Sequence, residues 1–108
     1  METHNPLNEM KKNVIKIDPE LAELIPAFLK NRMSDIQAMN EALAKSDHVI
    51  VERLGHGMKG AGAGFGFDEI TAIGAAIEKA AKEKNEDEMK KGIERLANYM
   101  KFLEVTYE

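Results

Sequence analysis

The chain has no cysteine and no tryptophan, only two tyrosines and four phenylalanines, and three prolines in 108 residues. Without cysteine there can be no disulfide, no thiolate metal site and no cysteine nucleophile. Aromatic and β-branched residues are thin and alternation is rarely sustained, which speaks against a sheet protein. No apolar run approaches the roughly 18–20 residues of a membrane span, and Met1–Lys16 lacks the apolar stretch of a signal peptide. A net charge of −4 supplies no basic footprint for nucleic acid, and it disfavours an anionic membrane surface. The expected address is the cytoplasm. At this length the chain makes one domain with a modest core. Its 44% hydrophobic and 31% charged residues suit a folded globule rather than a disordered tail.

Helix punctuation, by contrast, is dense. Asp18-Pro19-Glu20 reads as an N-cap, a proline at the first helical position and a first-turn acid. Leu21, Leu24, Ile25, Phe28, Leu29, Ile36, Met39 and Leu43 then recur at spacings of three and four. They predict a helix to about Lys45, with a break or kink at Pro26. Ser46 is the expected cap of a second helix, from about Asp47 to Phe65. Gly66 stops it, and Asp68 begins a third with the stripe Ile70, Ile73 and Ile77. Asn85 and Glu88 have the spacing of a capping box for a fourth helix, with Met89, Ile93, Leu96, Met100 and Leu103 facing inward. Met33, Met39 and Met58 join Met89 and Met100 as expected core filling. Four amphipathic helices on short connections predict an all-α fold: an antiparallel up-and-down four-helix bundle over residues 18–108. Residues 1–17 form a short N-terminal leader, read as a helix against one end.

One stretch carries chemistry: Leu54-Gly55-His56-Gly57-Met58-Lys59-Gly60-Ala61-Gly62-Ala63-Gly64-Phe65. On a helix at about 100° per residue, Ile50, Val51, Leu54, Met58, Ala61 and Phe65 fall within roughly 60° of the side opposite His56. They make the core stripe, so His56 points to solvent. Lys59 at i+3, Gly60 at i+4 and Ala63 share its face, as do Glu52 and Arg53 one turn earlier. Glycine within a helix costs about 1 kcal/mol relative to alanine, yet Gly55, Gly57, Gly60 and Gly62 all fall here. Close approach of a macromolecule or an anion is a reason for them. Gly57 and Gly62 sit nearer the flanks and suit helix packing better than Gly60 does. An exposed imidazole is a nucleophile near neutral pH. A neighbouring cation and a bare surface are what phosphoryl transfer from another protein needs.

His56-x-x-Lys59-Gly60, followed by small residues, Gly66 and a fresh amphipathic helix, resembles the histidine-containing phosphotransfer (HPt) domain family. The likeness runs from about Asp18 to the end. It implies a phosphoryl carrier without an ATP site, not an enzyme in its own right. His56 would take a phosphoryl group from a histidine kinase, a hybrid kinase or an aspartyl phosphate, and pass it to a response-regulator receiver domain. The resemblance implies that Lys59 assists the phosphohistidine and that Gly60 leaves room for the receiver, with Ala63, Glu52 and Arg53 beside them on the docking face. It implies no cofactor of the chain's own, the Mg²⁺ belonging to the receiver. Glycines on both sides of His56, and Phe67 in place of an aliphatic residue, depart from the family pattern.

Other readings are weaker. Gly55-His56-Gly57-Met58-Lys59-Gly60 matches a dinucleotide-binding G-x-G-x-x-G, and His48-Val49-Ile50-Val51 can pass for a strand before it, but no partner strand is in view. His48, Glu52 and His56 at i, i+4 and i+8 have a spacing that can ligate zinc, but drift around the helix. No metal is expected; His48 reads as a solvated side chain and His4 as inert. The charged runs Lys79–Lys84 and Glu86–Lys91 read as solvated faces. A helical module that docks a signalling partner through the His56 face without phosphorylation stays open.

Overall fold

The structure, a computed structural model, describes residues 12–108; His4 and the start of the leader lie outside them. The Asp18 side chain accepts a hydrogen bond from Glu20 N–H at 2.9 Å and closes a 3₁₀ turn over Pro19–Leu21. The first α-helix, α1, runs Ile25–Ala44 and begins where a kink was expected. Pro26 falls in its first turn, where a missing N–H leaves no bond broken. The next helices are α2 (His48–Phe65), α3 (Asp68–Lys82) and α4 (Glu86–Lys101). Asp47, not Ser46, caps α2, its carboxylate accepting from Ile50 N–H, while Ser46 bends the chain at φ 53°. Gly66 ends α2 at φ 82°, a left-handed conformation that few side chains adopt comfortably. Asn85 caps α4 as expected, accepting from Glu88 N–H at 3.1 Å.

The four helices form the bundle that the periodicity predicts. Its core holds Phe28, Met39, Val51, Met58, Ile70, Ile73, Ile77, Met89 and Leu96. Phe67 is fully buried and stacks on Phe28 at 4.9 Å between ring centroids, with Phe65 tilted against the same ring at 4.7 Å. Some expected core residues are on the surface instead: Leu24, Met33 and Ile50 are exposed. Arg32 takes an inward position on α1, stacked over the Phe28 ring and donating to Asp35 at 2.8 Å. Burial pushes the Asp35 carboxyl up, against the pull of that guanidinium.

The leader holds a strand where a helix was expected. β1 (Asn13–Ile17) pairs in parallel with β2 (Leu103–Tyr107), Ile15 opposite Val105. Leu103 therefore belongs to β2, not to the last helix. An isolated pair of strands is marginal in water. This one is held by its inward side, where Ile17 is buried and Ile15, Leu103 and Val105 pack on the core.

α2 and α3 meet backbone to backbone. A Cβ on Gly74 would lie 2.7 Å from Lys59 N and 2.8 Å from Gly55 O; one on Gly55 would lie 2.9 Å from Glu78 N. Gly62 is likewise a packing residue, against Thr71, whereas Gly57 has open space around it and does not pack as expected. Gly60 is also open. Gly74→Ala should force α2 and α3 apart and lower stability by about 1–3 kcal/mol, while Gly60→Ala should raise it by up to about 1 kcal/mol. Denaturant unfolding of both variants checks this. Equal stability of Gly74→Ala and wild type would show the contact to be loose.

Candidate functional site

Val51, Gly55, Met58 and Gly62 are buried along α2 and turn its opposite face to solvent. His56 stands on that face with 69% of its side chain exposed. The glycine notch brings α3 close enough for Glu78, one turn after Gly74, to reach across to α2. Its Oε2 lies 2.9 Å from His56 Nδ1, and its Oε1 accepts from Lys59 Nζ at 2.8 Å. Lys82, one turn further along α3, holds its Nζ 3.7 Å from Glu78 Oε2.

Only 11% of the Glu78 side chain is exposed, and burial by itself disfavours the ionised form. The hydrogen bond from Lys59 outweighs it; with the His56 bond and the charges of Lys59 and Lys82, it holds the Glu78 carboxyl down at about 2. Glu78 is thus ionised at neutral pH and can only accept. The proton in the Nδ1–Oε2 bond therefore belongs to the ring, and neutral His56 is the Nδ1–H tautomer. Its lone pair lies on Nε2, across the ring from Glu78. Geometry and charge leave one nucleophilic nitrogen, presented to solvent.

The model of the Hpt domain family matches residues 23–104. The chain belongs to the Hpt domain family. Hpt domains are phosphotransfer carriers of two-component signalling rather than catalysts. No curated protein and no solved structure is significantly similar to the chain. No helix among the described residues is long and apolar enough to cross a membrane.

In this Hpt domain Gly60, Ala63 and Arg53 are exposed on the His56 face and Glu52 is partly so. Glu52, Arg53 and Val49 line an open hollow of ≈ 400 Å³ with His56 and Glu78. Lys59 stands beside His56 as expected, yet its ammonium is tied to Glu78. His48 is not simply solvated: its Nε2 lies 2.6 Å from Glu86 Oε2, and that bond leads the effects that lower the Glu86 carboxyl. His48 turns to Glu86 and His56 to Glu78, and the described residues hold no cluster of three or more His, Asp or Glu placed to share one ion. The G-x-G-x-x-G glycines lie inside α2, and His48–Val51 is helix, not strand.

Glu78 is the residue that sequence reasoning missed. It follows the core residue Ile77 directly and stands one turn after Gly74, on the α3 face that meets α2. An acid after a helix-packing glycine, at i,i+4 from Lys82, was the available signal.

Because its carboxyl is lowered from 4.5 to about 2, Glu78 stabilises the fold through its charge, fully above pH 4.5 and progressively less as pH falls toward about 2. Melting curves of wild type and Glu78→Gln should therefore differ by a constant amount above pH 4.5 and converge toward pH 2. A gap that persists to the acid end would mean that Glu78 acts by packing alone.

Proposed function

We propose that this Hpt domain carries a phosphoryl group on His56 Nε2, between a kinase or receiver aspartyl phosphate and the aspartate of a response-regulator receiver. The observation that supports it best is the exposed imidazole whose Nδ1–H is bonded to an ionised, nearly buried carboxylate. Nε2 attacks phosphorus while the bond from phosphorus to the donor aspartate oxygen breaks, and that aspartate leaves as a carboxylate with the electron pair. No proton has to leave the attacking nitrogen. The ring becomes a phosphoimidazolium, and its positive charge develops beside Glu78, much as a triad carboxylate stabilises its imidazolium. The return step reverses this, with neutral imidazole as leaving group.

Lys59 supplies the cation for the phosphoryl oxygens. Gly60 and Ala63 keep the next turn of α2 free of bulk, so that a receiver can bring its aspartate to Nε2. Glu52 and Arg53 offer it charged contacts at the rim of the hollow. The Mg²⁺ required at an aspartyl phosphate belongs to the receiver.

The test is incubation with phosphorylated receiver domains. Wild type should gain an acid-labile, base-stable phosphoryl group. His56→Gln should gain none while melting close to wild type, since the side chain is largely exposed. Labelling of His56→Gln, traced to His48, would sink the assignment. Docking without any uptake would favour the non-phosphorylated interaction module.

Gly60 probes access. With nothing within 4 Å of a Cβ there, Gly60→Gln should fold normally yet transfer at least about tenfold more slowly, the equivalent of about 1.4 kcal/mol at the barrier. Transfer at the wild-type rate would move the docking surface away from this turn.

A further inference from the structure

Lys59 is committed twice. It holds Glu78 at 2.8 Å in the resting site, and the transfer reaction needs its charge at the phosphoryl oxygens. The phosphoryl group arrives at Nε2, whereas Glu78 faces Nδ1. As Lys59 turns toward the incoming group, the imidazole is still neutral. The carboxylate, only 11% exposed, would then face a single uncharged N–H donor. A nearly enclosed charge that loses its partner is costly.

Lys82 is the cation within reach. It stands one turn beyond Glu78 on α3, its Nζ 3.7 Å from Oε2, just outside hydrogen-bond distance, and its side chain is 59% exposed. We propose that Lys82 is a positioning residue of the transfer site: it takes over Glu78 when Lys59 turns to the phosphoryl group, so the carboxylate keeps an ammonium partner throughout. Lys82 acts through Glu78 and touches neither the phosphoryl group nor the ring. One lysine on each helix then serves one carboxylate, with α2 providing the mobile cation and α3 the replacement.

The inference rests on phosphorylation of His56, and its test separates the two. Single-turnover transfer from a receiver carrying labelled aspartyl phosphate is measured for wild type, Lys82→Met, Lys82→Arg, Glu78→Gln and the Glu78→Gln, Lys82→Met double variant, with the melting temperature of each. Lys82→Met should transfer about three- to fivefold more slowly, the scale of a partly exposed ion pair, at nearly unchanged melting temperature. Lys82→Arg should recover most of the rate. In the Glu78→Gln background the Lys82→Met change should cause no further loss, because no charge is left to compensate. A wild-type rate in Lys82→Met overturns the proposal. So does an equal loss from Lys82→Met in the Glu78→Gln background, which would put Lys82 in direct contact with the receiver. Wild type that accepts no phosphoryl group overturns the assignment of His56, and this inference with it.

Discussion

The backbone contact between α2 and α3 at Gly55 and Gly74 sets the distances on which the site depends. Two helices can lie this close only where neither carries a Cβ, and on each side the atoms that would be struck are main-chain atoms of the other helix. Backbone cannot rotate away as a flexible side chain can, so the spacing is rigid. It fixes how far Glu78 must reach to meet His56 and Lys59. With ordinary side chains at the crossing, the helices would sit further apart, and the carboxylate would hydrate instead of bonding to Nδ1. The same short stretch of α2 thus gives up helix propensity for two purposes. Gly55 and Gly62 face inward and allow close packing, while Gly57 and Gly60 face open space.

Glu78 turns that spacing into chemistry. A carboxylate so little exposed would ordinarily shift toward its neutral form, but the Lys59 hydrogen bond holds it ionised. An ionised acceptor decides which ring nitrogen keeps the proton, and so which one is free to attack. The arrangement resembles a triad in its logic: an enclosed carboxylate orients an imidazole and is placed to balance positive charge on it. In the proposed transfer the nucleophile differs, since the imidazole itself would accept the group. Hence the ring must stand out in solvent while its partner stays sheltered.

The rest of the chain keeps α2 and α3 in register. Phe28 of α1 receives Phe65 from the end of α2 and Phe67 from the turn after it, so the αL bend at Gly66 is clasped by three rings. At the other end of the domain's connectivity, β1 and β2 join the two ends of the described chain through a parallel ladder. That ladder packs on the core through Ile15, Leu103 and Val105 and contributes none of the site residues described above.

Much of this was legible in the chain alone. Caps at Asp18 and Asn85, the stop at Gly66 and the outward position of His56 depend on neighbours within one or two helical turns. A 3.6-residue period records such local facts directly. Lys59, Gly60 and Ala63 were placed beside His56 for the same reason. The strands escaped notice because Asn13–Ile17 and Leu103–Tyr107 are short alternating runs that become a sheet only when opposite ends of the chain meet. Leu24, Met33 and Ile50 read as core in the sequence, yet are exposed, because periodicity finds an apolar side of a helix but not how much of that side its neighbours cover. The sequence by itself determined the helices, their punctuation and the exposed histidine. Only the tertiary structure decided that Glu78 meets His56 and Lys59, because that depends on which faces of two helices come together, and how closely. No pattern within a single helix encodes that distance.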